Sequence, residues 1–456
     1  MIKFNDKSEY KNILSAISSN ETICKENGNT TKYEIFNKTM NEYFIVLDSD
    51  STKNELNEIY RAITNFLGKQ KNSFKINFSS FTKFFDKQKD ILAVLIDAIE
   101  YASNFPVAWD AKTNKSNKIE HCLELSNDLL PVANEYMSVA SSKTFVRSLQ
   151  DMPSNMMNPA KFESKIKQRF QNLKNVQIEV LDSKILKEKE MNLILAVGQG
   201  CTQSEESSRI VVIKYLNNPN DKNINCFIGK GICFDTGGLN IKTGNYMRWM
   251  KYDMSGSAIV AGLAESLAKN NIKTNFIAIC ALATNLCGSN SYRPDDVIIG
   301  YNKMSVEIDN TDAEGRLVMA DAIAYAVKDL NATRIFDIAT LTGAMIYALG
   351  DTYTGVWTND EIMWNNLEVA SKKSGELVWR LPFHHDFKDL LKSQFADICN
   401  SVSDPRGGSS RAAMFLKQFT NDLPYMHFDV AATADKGNVG TGIMLHTMYN
   451  FFKNNQ

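Results

Sequence analysis

Histidine is scarce in this chain, with five residues in 456, and no HExxH occurs, which excludes the common single-zinc protease pattern. Eight cysteines (Cys24, Cys122, Cys201, Cys226, Cys233, Cys280, Cys287 and Cys399) are scattered without a CxxC pair, so neither a zinc ribbon nor a disulfide framework is expected. Net charge is nearly absent as well. A formal charge of -1 gives no global electrostatic reason to expect nucleic acid or an anionic membrane as a partner. The stretch ILAVLIDAIEYA is broken by Asp97 and Glu100 and is too short to span a bilayer. The opening MIKFNDKSEYKN has no apolar segment behind its charges, so no secretory signal is expected. Together these absences predict a cytoplasmic protein with reduced thiols.

What is present is ordinary globular composition, 44% hydrophobic and 23% charged, in a chain long enough to predict two domains. In the first third, EYFIVLD (42–48) and FKINFSSF (74–81) read as strands, and KQKDILAVLIDAIEYASN (87–104) has helical periodicity. This predicts a small N-terminal α/β domain over 1–130. A helix over 131–150 then connects it to a larger domain, 151–456, with the break at DMPSNMMNPAKF. Beyond the break, apolar strands such as RIVVIKYL, NCFIGKG, NFIAICALAT and TRIFDIATL alternate with helical runs. That alternation predicts an α/β catalytic domain around a largely parallel sheet.

In such sheets ligands gather beyond the carboxyl ends of strands. CFIGKGICFDTGGLNIKTG carries Lys230, Asp235 and Lys242 out of a strand, MKYDMSGSA brings Asp253, and NTDAEGRL supplies Asp312, Glu314 and Arg316 before a helix. GKGICFDTGG matches neither GxGxxG nor GxxxxGKS/T, so the nucleotide reading is weak. Either acid of NTDAEGRL alone could be a helix cap, and each cation alone could be a surface charge. Capping does not account for the lysines. Acids this crowded need cations or protons to compensate them, and an oxygen-rich cluster suits two divalent ions roughly 3.5–4 Å apart.

The blocks GKGICFDTGGLNIK, MKYDMSGSA, YRPDDV and NTDAEGRLVMADA resemble those of the leucyl aminopeptidase (cytosol aminopeptidase) family, most closely over residues 224–345. The resemblance implies a metal-dependent exopeptidase assembled as a homohexamer and acting on peptides. It implies one metal on Lys230, Asp235, Asp253 and Glu314 and a second on Asp235, Asp312 and Glu314, with Asp235 and Glu314 bridging. The ions expected are Zn2+ or Mn2+, with Co2+ or Mg2+ as further candidates. Lys230 can be a ligand only as a neutral amine, which a neighbouring dication favours. Lys242 is implied to stabilise the developing oxyanion. Arg316 is implied to hold a bicarbonate that serves as general base.

Met250, Thr340, Gly343, Ala431 and Ala434 fall where the family lines its pocket for the first side chain of the substrate. The small residues at 431 and 434 suit a roomy, apolar, leucine-like group. DMSGSA stands where DMGGAA is common, FDTGG for FDSGG, and HFDVAATA for DIAG. None of these departures removes an implied ligand. Two rival readings are a two-metal phosphohydrolase and a DNA-binding role of the N-terminal domain. The lysines of SFTKFFDKQKD are interleaved with acids rather than clustered, which argues against DNA.

Overall fold

The computed structural model of the protein describes residues 2–26, 28, 31–104, 119–201 and 203–454. Two compact units make up the chain: residues up to Thr144 with Ser371–Glu376, and Phe145–Ala370 with Leu377–Gln456. The divide lies inside the helix Leu130–Gln150, the segment expected as a connector. Among the described residues, no helix is long and apolar enough to cross a membrane.

The first unit holds a six-stranded sheet. Its strands are β1 (Ile2–Phe4), β2 (Asn12–Ser18), β3 (Ile35–Thr39), β4 (Glu42–Leu47), β5 (Phe74–Asn77) and β6 (His121–Glu124), in the order β1-β6-β5-β2-β4-β3. Only β3 runs against its neighbour. The helix Leu56–Leu67 turns Ile59, Ile63 and Leu67, spaced by four, onto the core, as a 3.6-residue period requires. The expected strand over 74–81 stops at Asn77 and Phe78–Phe81 is helical. Asn77 ends it by accepting the Ser79 hydroxyl on its side chain and the Ser80 hydroxyl on its carbonyl. Helix Gln88–Asn104 buries both acids that interrupt its apolar run. Asp97 pairs with Lys143 at 2.8 Å, and Glu100 accepts the Ile2 amide at 3.0 Å.

The second unit is built on eight strands: β7 (Gln177–Leu181), β8 (Arg209–Leu216), β9 (Asn225–Asp235), β10 (Asn275–Asn285), β13 (Arg334–Ala339), β14 (Thr354–Thr358), β15 (Val378–Arg380) and β17 (Tyr425–Asp429). A small separate sheet supplies β11 (Val297–Ile299), β12 (Ser305–Glu307) and β16 (Ile398–Cys399). The large sheet has the order β15-β14-β17-β13-β9-β10-β8-β7. Its central four strands, β17, β13, β9 and β10, are parallel. Strands β8 and β14 are antiparallel to the sheet centre, and β7 is antiparallel to β8. The mixed α/β architecture is thus the expected one, with antiparallel pairing toward both edges.

Helix Ser255–Lys269 lies almost wholly buried against β9, β10 and β13. It approaches so closely that a Cβ at Gly256 would come within 2.1 Å of the Ile338 carbonyl oxygen. The neighbouring departure from the family pattern, Ser255, costs nothing sterically. Its hydroxyl donates to the Tyr252 carbonyl at 2.5 Å and accepts from Gln150 Nε2 at 2.8 Å.

Candidate metal centre

Three segments converge at the carboxyl ends of the central strands. β9 carries Lys230 within it and Asp235 at its last position; a 3-10 turn, Met250–Met254, carries Asp253; and helix Glu314–Asp329 begins at Glu314, two residues after Asp312. Lys230 Nζ lies 2.8 Å from Asp253 Oδ1 and 2.9 Å from Glu314 Oε1, and donates to the Thr340 carbonyl at 2.8 Å. Lys242 Nζ lies 2.8 Å from Asp235 Oδ2 and 2.6 Å from Asp312 Oδ1. Oxygens of Asp235, Asp312 and Glu314 all lie within 4.8 Å of one another. Gly315 is explained here: a Cβ on it would meet Lys230 Cε at 2.5 Å. The sequence EGR therefore lets the lysine stem pass over the start of the helix.

Burial sets the electrostatics. Lys230, Asp235, Asp253 and Glu314 are buried, while Asp312 stays partly exposed. Burial, reinforced by the Glu314 and Asp235 carboxylates, pushes Asp253 and Asp312 up to about 7, against the opposing pull of the lysines. Asp235 is raised for the same reason. For Lys230 and Lys242 burial works the other way, but the surrounding carboxylates outweigh it and hold both above the usual lysine range. In Glu314 burial is outweighed by the two lysines, and its carboxyl is lowered.

These residues fit hard divalent cations. Four carboxylates face two ammonium groups, and Asp253 Oδ2 and Glu314 Oε2 are buried without a hydrogen-bond donor among the described residues. Convergent, unsatisfied carboxylate oxygens are what such ions take as ligands.

Several residues that hold the acids in place have no mark in the sequence. Asn285, at the end of β10 and paired in register with Asp235, donates through Nδ2 to Asp235 Oδ1 at 2.8 Å and to the Thr311 carbonyl at 3.1 Å. Tyr292 donates to the same carbonyl at 2.7 Å. Thr311 donates to the Gly237 carbonyl and accepts from the Asn240 amide. Asn400 accepts the Asp309 amide and donates to the Asn310 carbonyl, both close to NTDAEGRL. A usable signal was position alone: Asn285 ends its strand as Asp235 ends its own. Thr236, where serine is common, keeps the needed hydroxyl, which donates to the Asn285 carbonyl at 2.9 Å.

The remaining implied residues are placed differently. Arg316 is the third residue of its helix and is buried. It donates through Nη1 to the Asn400 carbonyl at 2.7 Å, and its Nε has no partner among the described residues. Burial lowers it to about 10, with the Arg411 charge adding to the effect. Thr340 belongs to the acid network, its hydroxyl donating to Asp253 Oδ1 at 2.8 Å. Gly343 is exposed, with no atom within 4 Å of where a Cβ would stand. Met250 opens the Asp253 turn. The Ala431 amide donates to Asp429 Oδ1 at 3.1 Å. Ala434 is fully buried, and its carbonyl accepts Gln150 Nε2 at 3.0 Å.

Comparison with known proteins gives one consistent picture. The family described as the cytosol aminopeptidase family, catalytic domain, matches residues 144–449. A probable cytosol aminopeptidase of Mycoplasma pneumoniae is 42% identical over 393 residues, spanning 85% of this chain and 87% of that protein. The cytosol aminopeptidase of Encephalitozoon cuniculi is 39% identical over 301 residues, 66% of this chain and 61% of that protein. Among solved structures, bottromycin maturation enzyme BotP superposes with a TM-score of 0.85 over 98% of this chain and 99% of its own. At 20% identity that likeness shows the fold alone.

Proposed function

Since the chain belongs to the cytosol aminopeptidase family and is a metal-dependent peptidase, we propose that the Asp235–Asp312–Glu314 cluster is its catalytic centre and that it releases apolar, leucine-like residues from peptide N-termini. The observation that carries this reading is the convergence of those three carboxylates within 4.8 Å, beside buried Asp253 and Lys230. Asp235, Asp253, Asp312, Glu314 and a neutral Lys230 would hold two divalent ions, Zn2+ or Mn2+ first among them. When bound, such ions supply Lewis acidity toward a scissile carbonyl and water, and a bicarbonate on Arg316 supplies a general base.

The chain's own side chains do the positioning. Lys242, already set between Asp235 and Asp312, places a fixed positive charge where negative charge gathers on the carbonyl oxygen. Thr340 and Asn285 aim Asp253 and Asp235. Arg316, in the first turn of its helix, presents an unpartnered N–H beside the free amides of the helix start, a setting that favours an anion. Met250, Thr340, Gly343, Ala431 and Ala434 are proposed to shape the pocket for the first side chain. The assembly proposed is a cytoplasmic homohexamer acting on peptides, without a membrane or nucleic-acid partner.

The test is hydrolysis of an aminoacyl-amide panel by metal-free protein refilled with Zn2+, Mn2+, Co2+ or Mg2+, beside N-acetylated counterparts and phosphate esters. The expected result is cleavage of free-amine leucine amide and none of the blocked amide. Equal cleavage of blocked substrates, or turnover of phosphate esters alone, would overturn the reading.

A further inference from the structure

Two arginines in the second unit sit where isolated cations should not be. Arg316 is the third residue of helix Glu314–Asp329, and Arg411 is the fourth of helix Gly408–Lys417. A positive side chain in the first turn faces the positive end of the helix dipole, an arrangement that disfavours it unless negative charge is nearby. Neither helix start is capped by a side chain. Both arginines are also buried, at 8% and 5% exposure.

Each guanidinium has one backbone partner on the same short segment: Arg316 Nη1 donates to the Asn400 carbonyl and Arg411 Nη2 to the Asp404 carbonyl. Each also keeps a buried N–H without a partner among the described residues, Arg316 Nε and Arg411 Nη1. The two helices pack against each other, and Arg316 feels the Arg411 charge. The acid that acts on Arg411, Asp404, is itself clamped by three hydrogen bonds from the exposed Arg406 side chain. The Glu314 and Asp429 charges act on Arg316 and the Asp404 charge on Arg411, but among the described residues neither guanidinium forms an ion pair with a carboxylate, and the two repel one another with donors still free.

We propose that Arg411 and Arg316 form one site for a small oxyanion, with Arg411 as a donor to it in addition to Arg316. The inference rests on the reading that Arg316 holds an anion, and it adds the second residue and the competition between oxyanions at that place. The planar fork of a guanidinium matches trigonal and tetrahedral oxyanions alike, and a double positive charge suits a dianion. Bicarbonate and inorganic phosphate should therefore compete for it. Ser409 and Thr342, whose hydroxyls are 2.6 Å apart, tie the start of the Arg411 helix to Asp429 and fix the position from which Arg411 reaches.

The experiment measures anion binding to full-length protein directly. Sodium bicarbonate or sodium phosphate is titrated at constant ionic strength while the melting temperature is followed, with 13C-bicarbonate line widths as a second readout, for wild type, Arg316→Gln, Arg411→Gln and Arg411→Lys. Wild type should show saturable stabilisation by both anions, and phosphate should displace bicarbonate. Arg411→Gln should bind roughly 10- to 100-fold more weakly, the scale of one charge-assisted hydrogen bond, and Arg411→Lys should fall between. Should Arg411→Gln fail to fold, the lysine variant decides. Wild-type affinity in a folded Arg411 variant, with binding lost in Arg316→Gln, makes Arg411 a helix brace and overturns this inference alone. No saturable response in wild type removes the Arg316 reading along with it.

Discussion

Replacing Asn285 by leucine removes the side-chain amide that joins Asp235 to the NTDAEGRL loop. Thr311 keeps Tyr292 as a donor, and Asp235 keeps the Gly237 amide at 2.8 Å. Two hydrogen bonds are lost with neither acceptor left bare, and the larger loss is the one to a carboxylate, about 1.5–3 kcal/mol. Because that bond fixes the direction of a carboxylate at the cation cluster, the loss should emerge mainly as metal binding weakened about 10- to 100-fold. The metal-free fold should suffer less. Asn285 Oδ1 is buried with no partner among the described residues, so leucine also removes an unsatisfied polar atom. Competition for Zn2+ or Mn2+ against a chromophoric chelator, run beside thermal melts of metal-free protein, separates the two effects. Unchanged metal affinity, or a metal-free melting temperature that falls as far as that of the loaded protein, would refute the reasoning.

Lys242→Met should lower kcat roughly 10²–10³-fold with a smaller change in KM, as for loss of an oxyanion donor, while metal content persists; an equal loss in KM would assign Lys242 to ground-state binding. Lys143→Met strips the ammonium that lies 2.8 Å from buried Asp97 and 2.6 Å from buried Glu376, and should cost about 3–5 kcal/mol in denaturant melts, with a neutral outcome excluding a structural role. His121 is buried, accepts the Phe74 amide on Nδ1, and is depressed by burial from 6.5 to about 4. The unfolded chain takes up that proton first, so stability should be full above pH 6.5 and fall by roughly 3 kcal/mol as pH drops to 4. His121→Gln should flatten this slope, and an unchanged slope would place the acid sensitivity elsewhere.

The parts of the molecule legible in the sequence are those where chemistry and pattern coincide. Apolar runs such as NFIAICALAT announced buried strands, and acids and lysines crowded around loops and helix starts marked the candidate site, because so many charges close together have no role in packing. Strand direction was not legible: β8 carries an apolar run like those of the parallel central strands, and only pairing distinguishes it. Nor were the amides that orient the acids, since the residue type of Asn285 or Asn400 does not show its partners. Thr340 shows the same limit. Family position suggested a pocket wall, and the hydrogen bond from its hydroxyl to Asp253 is a second feature that no residue pattern announces. Asp97 and Glu100 read as interruptions of an apolar run and prove to be buried acids whose partners lie 46 and 98 residues away.

The central claim, that the acids of NTDAEGRL complete the metal centre of an aminopeptidase, is tested most directly by metal content and turnover measured on the same sample of Glu314→Ala, with Asp312→Ala beside it. Elemental analysis after equilibration with Mn2+ or Zn2+, paired with leucine-amide hydrolysis, should show reduced metal stoichiometry and abolished turnover in a protein whose circular dichroism stays that of wild type. Wild-type metal content together with near-normal turnover in either variant would contradict the account.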